Sequence, residues 1–109
     1  MKQLYALIHI WDNGCNPIPS VIAVSSGTDE LRKLMRDSVL VAKKETEAGC
    51  RNCSVTWEIM KIEENSFAVH ATFPHFPGSY IEFRWTIQAV PVIENQEDVN
   101  EISHNFRSF

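Results

Sequence analysis

The sequence lacks the motifs by which many enzymes and membrane proteins are recognised. Its 109 residues contain no Gly-rich phosphate loop, no Gly-x-Ser-x-Gly nucleophile elbow and no His-Glu-x-x-His pair. No apolar run approaches the roughly 20 residues that a membrane-spanning helix requires. The apolar stretch after Lys2 is interrupted by His9 and Asp12 and lacks a small-residue cleavage site. These absences predict a soluble cytoplasmic chain with no membrane partner and no cofactor.

Basic residues and cysteines are also few. Ten Lys and Arg against fourteen Asp and Glu give a net charge of −4, and Lys43-Lys44 is the densest basic pair. Nucleic-acid binding needs clustered positive charge to contact phosphates, so we expect no nucleic-acid partner. The three cysteines are an odd number, which argues against a disulfide framework.

One long amphipathic helix is the clearest element that the sequence contains. Residues 28–49 place apolar or small side chains at three- and four-residue spacing, with no interior Gly or Pro. Thr28 is suited to cap the first turn, and Gly49 is suited to end the helix. The predicted apolar stripe comprises Leu31, Leu34, Met35, Ser38, Val41 and Ala42.

Alternating apolar and polar residues predict five strands around this helix. The expected strands are 3–11, 20–25, 54–63, 67–73 and 80–89, with a loop from 12 to 20. The order ββαβββ predicts an α+β fold, a two-layer sandwich in which one long helix covers one face of a mostly antiparallel five-stranded sheet. Residues 1–93 form this single domain, and 94–109 form a polar C-terminal tail with a possible short helix marked by the capping box Asp98–Glu101.

The strand alternation also divides the side chains between two sheet faces. We expect the helix-covered face to contain Leu4, Ile8, Ile10, Val55, Trp57, Phe67, Val69, Phe73, Phe83, Trp85 and Ile87. The opposite face would then hold the candidate ligand or partner residues Tyr5, His9, Trp11, Glu58, His70, Thr72, Tyr80, Glu82 and Arg84. Because Tyr5, Leu7 and Trp11 are too apolar for a solvated surface, this prediction favours a covered face.

The pair Cys50-x-x-Cys53 is the most motif-like feature. A redox pair would sit at a helix N-terminus, whereas these cysteines follow a helix C-terminus, where the dipole disfavours a thiolate. A zinc site would need two further ligands, from Cys15 and either His75 or His104. The simpler interpretation is a turn with two partly buried thiols and no metal.

These features predict a small binding module without catalytic activity, which acts through a protein partner or through homodimerisation. One alternative is a small-ligand binder or enzyme that uses His, Glu and Arg side chains of the second sheet face as acid, base and anion contacts. The other alternative is a zinc-stabilised module built on Cys50 and Cys53.

Overall fold

A computed structural model describes residues 3–50, 54–91 and 104 of the chain. The elements are β1 Leu4–Asp12, β2 Pro17–Ser25, α1 Thr28–Gly49, β3 Thr56–Glu63, β4 Ser66–Thr72 and β5 Tyr80–Val90. All strand pairs are antiparallel, and the strand order across the single sheet is β2-β1-β5-β4-β3. The predicted α+β fold with order ββαβββ is therefore confirmed. No helix in the described ranges combines the length and apolar composition needed to cross a bilayer.

Helix α1 has the predicted bounds but begins and faces differently from the prediction. Gly27 is the N-cap, and Thr28 is already helical. The Ser25 hydroxyl organises this start, because it accepts a hydrogen bond from the Gly27 N–H and donates one to Glu30. Val39 belongs to the core-facing stripe, whereas the exposed Leu34 and Val41 do not.

Strand β2 is longer than predicted and takes up half of the expected loop. It begins at Pro17 and includes Pro19, both of which lack a backbone N–H. Proline is tolerated in β2 because this strand lies at an edge of the sheet. The composition of the segment indicated a loop, but only residues 13–16 remain as the connection to β1.

The core lies between α1 and the three strands that it contacts, β2, β1 and β5. Its fully buried large side chains are Trp85, Leu7 and Leu31. The predicted core residues of the last three strands take their places in or against this cluster, namely Val55, Trp57, Phe67, Val69, Phe73, Phe83, Trp85 and Ile87.

The prediction of which β1 side chains face the helix is wrong. Leu7 pairs with Ile87 and His9 pairs with Trp85, so the odd-numbered residues of β1 face the helix. Tyr5 and Trp11 pack against the core cluster, while Leu4, Ile8 and Ile10 point to the other face. Because β1 is apolar on both faces, its alternation could not decide between them. The deciding contacts are cross-strand, where the His9 ring stacks on Trp85 at a centroid distance of 4.6 Å.

Candidate interaction surface on the open sheet face

The sheet face away from α1, here called the open face, brings together the polar residues of the predicted site. Across neighbouring strands, Glu58 pairs with His70, and His70 pairs with Glu82. Arg84 lies two residues along β5, and its Nη2 donates to Glu82 Oε1 at 3.0 Å. The register therefore places Glu58, His70, Glu82 and Arg84 on one sheet face, and that this face binds a ligand or partner stays a prediction.

This charged half of the open face, here called the polar block, comprises Glu58, Lys61, His70, Glu82 and Arg84. A shallow depression of about 330 Å³ lies beside it, lined in part by Lys61, Glu82 and Arg84. The His70 ring meets the edge of Tyr80 at 4.9 Å. The block therefore presents mixed charge and a half-buried imidazole. Such groups suit hydrogen bonding to a partner or a small polar ligand.

Tyr5, His9 and Trp11 do not join the polar block, so the prediction that they share its face is wrong. The half-buried His9 ring stacks on Trp85, and its Nδ1–H donates to the Arg84 carbonyl at 3.1 Å. Burial lowers the pKa of His9, and the hydrogen bond to this carbonyl opposes the effect only in part. His9 therefore acts as a neutral aromatic member of the core at neutral pH. It cannot work together with His70, because the sheet separates the two rings.

The apolar half of the open face was missed by the sequence prediction. It is formed by aliphatic side chains of β1 and β2, here called the apolar patch: Leu4, Ile8, Ile10, Val21 and Val24. Val21 pairs with Ile8 and Val24 pairs with Ala6, which places them on this face. Their exposed fractions are 62% and 54%. Once the face of β1 is corrected, the alternation of β1 would have indicated this patch.

The described cysteines do not form a metal site. Cys50 is disulfide-bonded, so it has no thiolate available for zinc. Cys15 carries a free and exposed thiol, and Cys53 lies outside the described residues. Among the described residues no three His, Cys, Asp or Glu side chains are grouped to hold a metal ion. The expectation of two free thiols in the turn is wrong for Cys50, since an odd cysteine count does not preclude one disulfide.

Comparison with protein-family models, with curated proteins and with solved structures finds no match to this chain. Function is therefore inferred from the residues themselves.

Proposed function

We propose that this chain is a non-catalytic protein-binding module that acts through the apolar patch, in the first place by pairing with the same patch of a second copy. The observation that carries the proposal is an open sheet face on which Val21 and Val24 are exposed and Leu4, Ile8 and Ile10 are only half-buried. No element in the described part of the chain covers them. Contiguous apolar surface of this kind marks interaction sites in soluble proteins, because burying it is favourable by about 25 cal/mol per Å².

The layout of the open face favours pairing with itself. A two-fold axis through the apolar patch would place patch on patch and leave the polar block of each copy at the rim. This arrangement matches the usual anatomy of interfaces, in which an apolar centre is surrounded by polar groups. A self-complementary contact also requires only one surface, and two-fold dimers are the commonest oligomers.

The two edges of the sheet favour face-to-face contact over strand addition. Edge strand β2 contains Pro17 and Pro19 and a register shift after Val21. Edge strand β3 has an irregularity between Ile59 and Lys61. Prolines, bulges and edge lysines are devices that hinder edge-to-edge pairing. The open face is therefore better suited to contact with a second copy than either edge of the sheet.

A second candidate function is a small-ligand site at the polar block. The depression beside Glu82 and Arg84 supports it, because an arginine guanidinium can bind a carboxylate or phosphate with two hydrogen bonds. This candidate expects a monomer whose Arg84→Gln variant loses ligand binding. If this candidate is right, a charge placed in the apolar patch leaves the mass of the species in solution unchanged.

A charge placed in the apolar patch tests the proposal. Val21→Glu should yield a folded monomer, because an unpaired carboxylate in the contact must be desolvated without a partner. Val41→Glu is the matched control, since Val41 is 53% exposed on α1, away from the open face. Sedimentation of both variants separates the outcomes. Equal mass for the two variants would contradict the proposed contact.

The cytoplasmic location remains a prediction, and the disulfide at Cys50 counts against it. Disulfides persist in oxidising compartments and are rare where glutathione and thioredoxin keep thiols reduced. The bonded Cys50 therefore supports the proposal of an oxidising environment for the folded protein. The number of free thiols per chain, counted under non-reducing conditions on protein taken from its native source, would decide between a cytoplasmic location and an oxidising compartment. Three free thiols would favour the cytoplasm, and one would favour an oxidising compartment.

A further inference from the structure

Helix α1 covers only part of its side of the sheet. It contacts β2, β1 and β5, and within the described residues no helix lies over β4 and β3. Two cavities of about 180 and 360 Å³ lie along this uncovered strip and share Val39 and Phe67. Together they form one groove between α1 and β3, here called the α1–β3 groove. It is on the opposite side of the sheet from the apolar patch.

The walls of the α1–β3 groove are apolar and open to solvent. Ile59 and Ile62 on β3 are 60% and 72% exposed, and Leu40 on α1 is 60% exposed. Trp57 lines the groove, and its buried indole N–H has no hydrogen-bond partner in the described structure. Exposed aliphatic residues on both walls of one groove fit the apolar face of an amphipathic helix.

We propose that the C-terminal segment of this same chain, residues 98–109, lies in the α1–β3 groove as a second helix beside α1. Val99, Ile102 and Phe106 follow one another at three- and four-residue spacing and would form its apolar face. His104 has helical backbone conformation and is exposed. At ~100° per residue it lies about 140–160° from each of these three residues, as expected for the outer face of such a helix.

The end of β5 is in the right place to deliver this segment. Val90 pairs with Leu4 at the end of the sheet where α1 begins. The β3–β4 turn lies at the same end, where the Asn65 carbonyl accepts a hydrogen bond from the Ile87 N–H. Six extended residues, 92–97, span up to about 20 Å. Crossing from β5 to β3 requires two strand spacings, or about 10 Å, which leaves enough chain to reach the helix layer.

The length of the segment also fits the groove. A helix of 9–12 residues is about 14–18 Å long. The stretch of β3 from Trp57 to Ile62 rises by about 17 Å at ~3.3 Å per residue. One short helix would therefore cover the exposed residues of β3 from end to end.

Charge complements this fit. The α1 wall of the groove carries Arg32, Arg36 and Lys43, while Glu63 and Glu64 lie at the β3–β4 end, where Glu64 is already paired with Arg32. The C-terminal segment and its connection carry Glu94, Glu97, Asp98 and Glu101 against the single Arg107. Complementary charge across a contact favours this orientation and suppresses wrong partners.

Amide hydrogen exchange on the full chain tests the proposal. We expect the amides of residues 101–106 to exchange at least ~tenfold more slowly than those of an unstructured chain, a factor that corresponds to about 1.4 kcal/mol. Ile102→Asp should abolish this protection and speed exchange along the outer edge of β3. Asn100→Asp is the matched control, because it adds the same charge on the outward face and should leave the protection unchanged.

A substitution in the groove makes the test reciprocal. Ile62→Asp lies on an exposed edge position, so the sheet should stay folded, which exchange of the β1 and β5 amides would confirm. This variant should release residues 101–106 from protection as fully as Ile102→Asp does. Unprotected amides at 101–106 in the unsubstituted chain would overturn the proposal. So would protection that survives Ile62→Asp, or that rises with protein concentration, since the latter would identify a second copy as the occupant.

Discussion

At the scale of single residues, the indole of Trp85 is the clearest case of a polar group that the core must satisfy. Its Nε1–H donates to the Ser38 hydroxyl at 2.8 Å, and the side chain is 1% exposed. Ser38→Ala should lower the free energy of unfolding by about 1–3 kcal/mol, because the donor is left buried and unpaired. Urea unfolding measures this loss. Ser26→Ala, at an exposed position, is the control, and equal stability of the two variants would show that the bond contributes nothing.

His9 provides a pH-dependent counterpart. Burial lowers its pKa from the ordinary value of 6.5, so the unfolded chain binds its proton at a higher pH than the folded chain does. The stabilisation from neutral His9 is therefore complete above pH 6.5 and is lost as the pH falls below it. Unfolding free energies of the unsubstituted chain should fall more between pH 7.5 and pH 5.5 than those of His9→Phe. Parallel slopes for the two proteins would contradict this assignment.

At the scale of elements, one arginine ties the start of α1 to the β3–β4 turn. Arg32 bonds Asp29 within the helix and reaches Glu64 at 3.0 Å and Asn65 at 3.0 Å across the layers. Exposed ion pairs contribute little, but Arg32 is 29% exposed and has three partners. Arg32→Met should lower the free energy of unfolding by roughly 0.5–1.5 kcal/mol.

The neighbouring Lys33 supplies the control for this prediction. Lys33→Met removes an exposed positive charge of α1 for which the described structure shows no ion pair and which lies outside the α1–β3 groove. It should change the free energy of unfolding by less than about 0.5 kcal/mol. If Lys33→Met costs as much as Arg32→Met, the loss reflects the removal of a positive charge from α1 and not the link between α1 and the turn.

The elements also show which parts of the fold could be predicted from sequence. Helix α1 was predictable because its 3.6-residue period and missing Gly and Pro leave no other structure, and β5 because it alternates cleanly over its length. β1 was misassigned because both of its faces are apolar, and only the Trp85–His9 pairing selects one. β2 was shortened because Pro17 and Pro19 indicate a loop until the strand is known to be an edge.

The candidate site could likewise be predicted only where the strand alternation identifies a buried face. Glu58, His70, Glu82 and Arg84 were predicted together because β4 and β5 alternate cleanly between apolar and polar residues, and because Trp57 and Ile59 flank Glu58 and mark the opposite face of β3. The apolar patch was missed because it depends on which face of β1 is covered, a fact of tertiary structure. The disulfide at Cys50 was missed because cysteine spacing does not determine pairing.

At the scale of the whole molecule, the two sides of the sheet have separate roles in this account. The helix side holds the core and the α1–β3 groove, which we assign to the C-terminal segment of the same chain. The open face holds the polar block and the apolar patch, which we assign to a partner. The two contacts can be tested separately, because Val21→Glu in the apolar patch and Ile62→Asp in the α1–β3 groove lie on opposite sides of the sheet.

The most direct test of the central claim is the solution mass of the unsubstituted protein. Sedimentation equilibrium at high micromolar concentration should give a species of twice the chain mass of 12.5 kDa. The dimer should dissociate on dilution with a single association constant, as expected for a two-fold pair. A species of 12.5 kDa at every concentration would contradict self-association through the apolar patch.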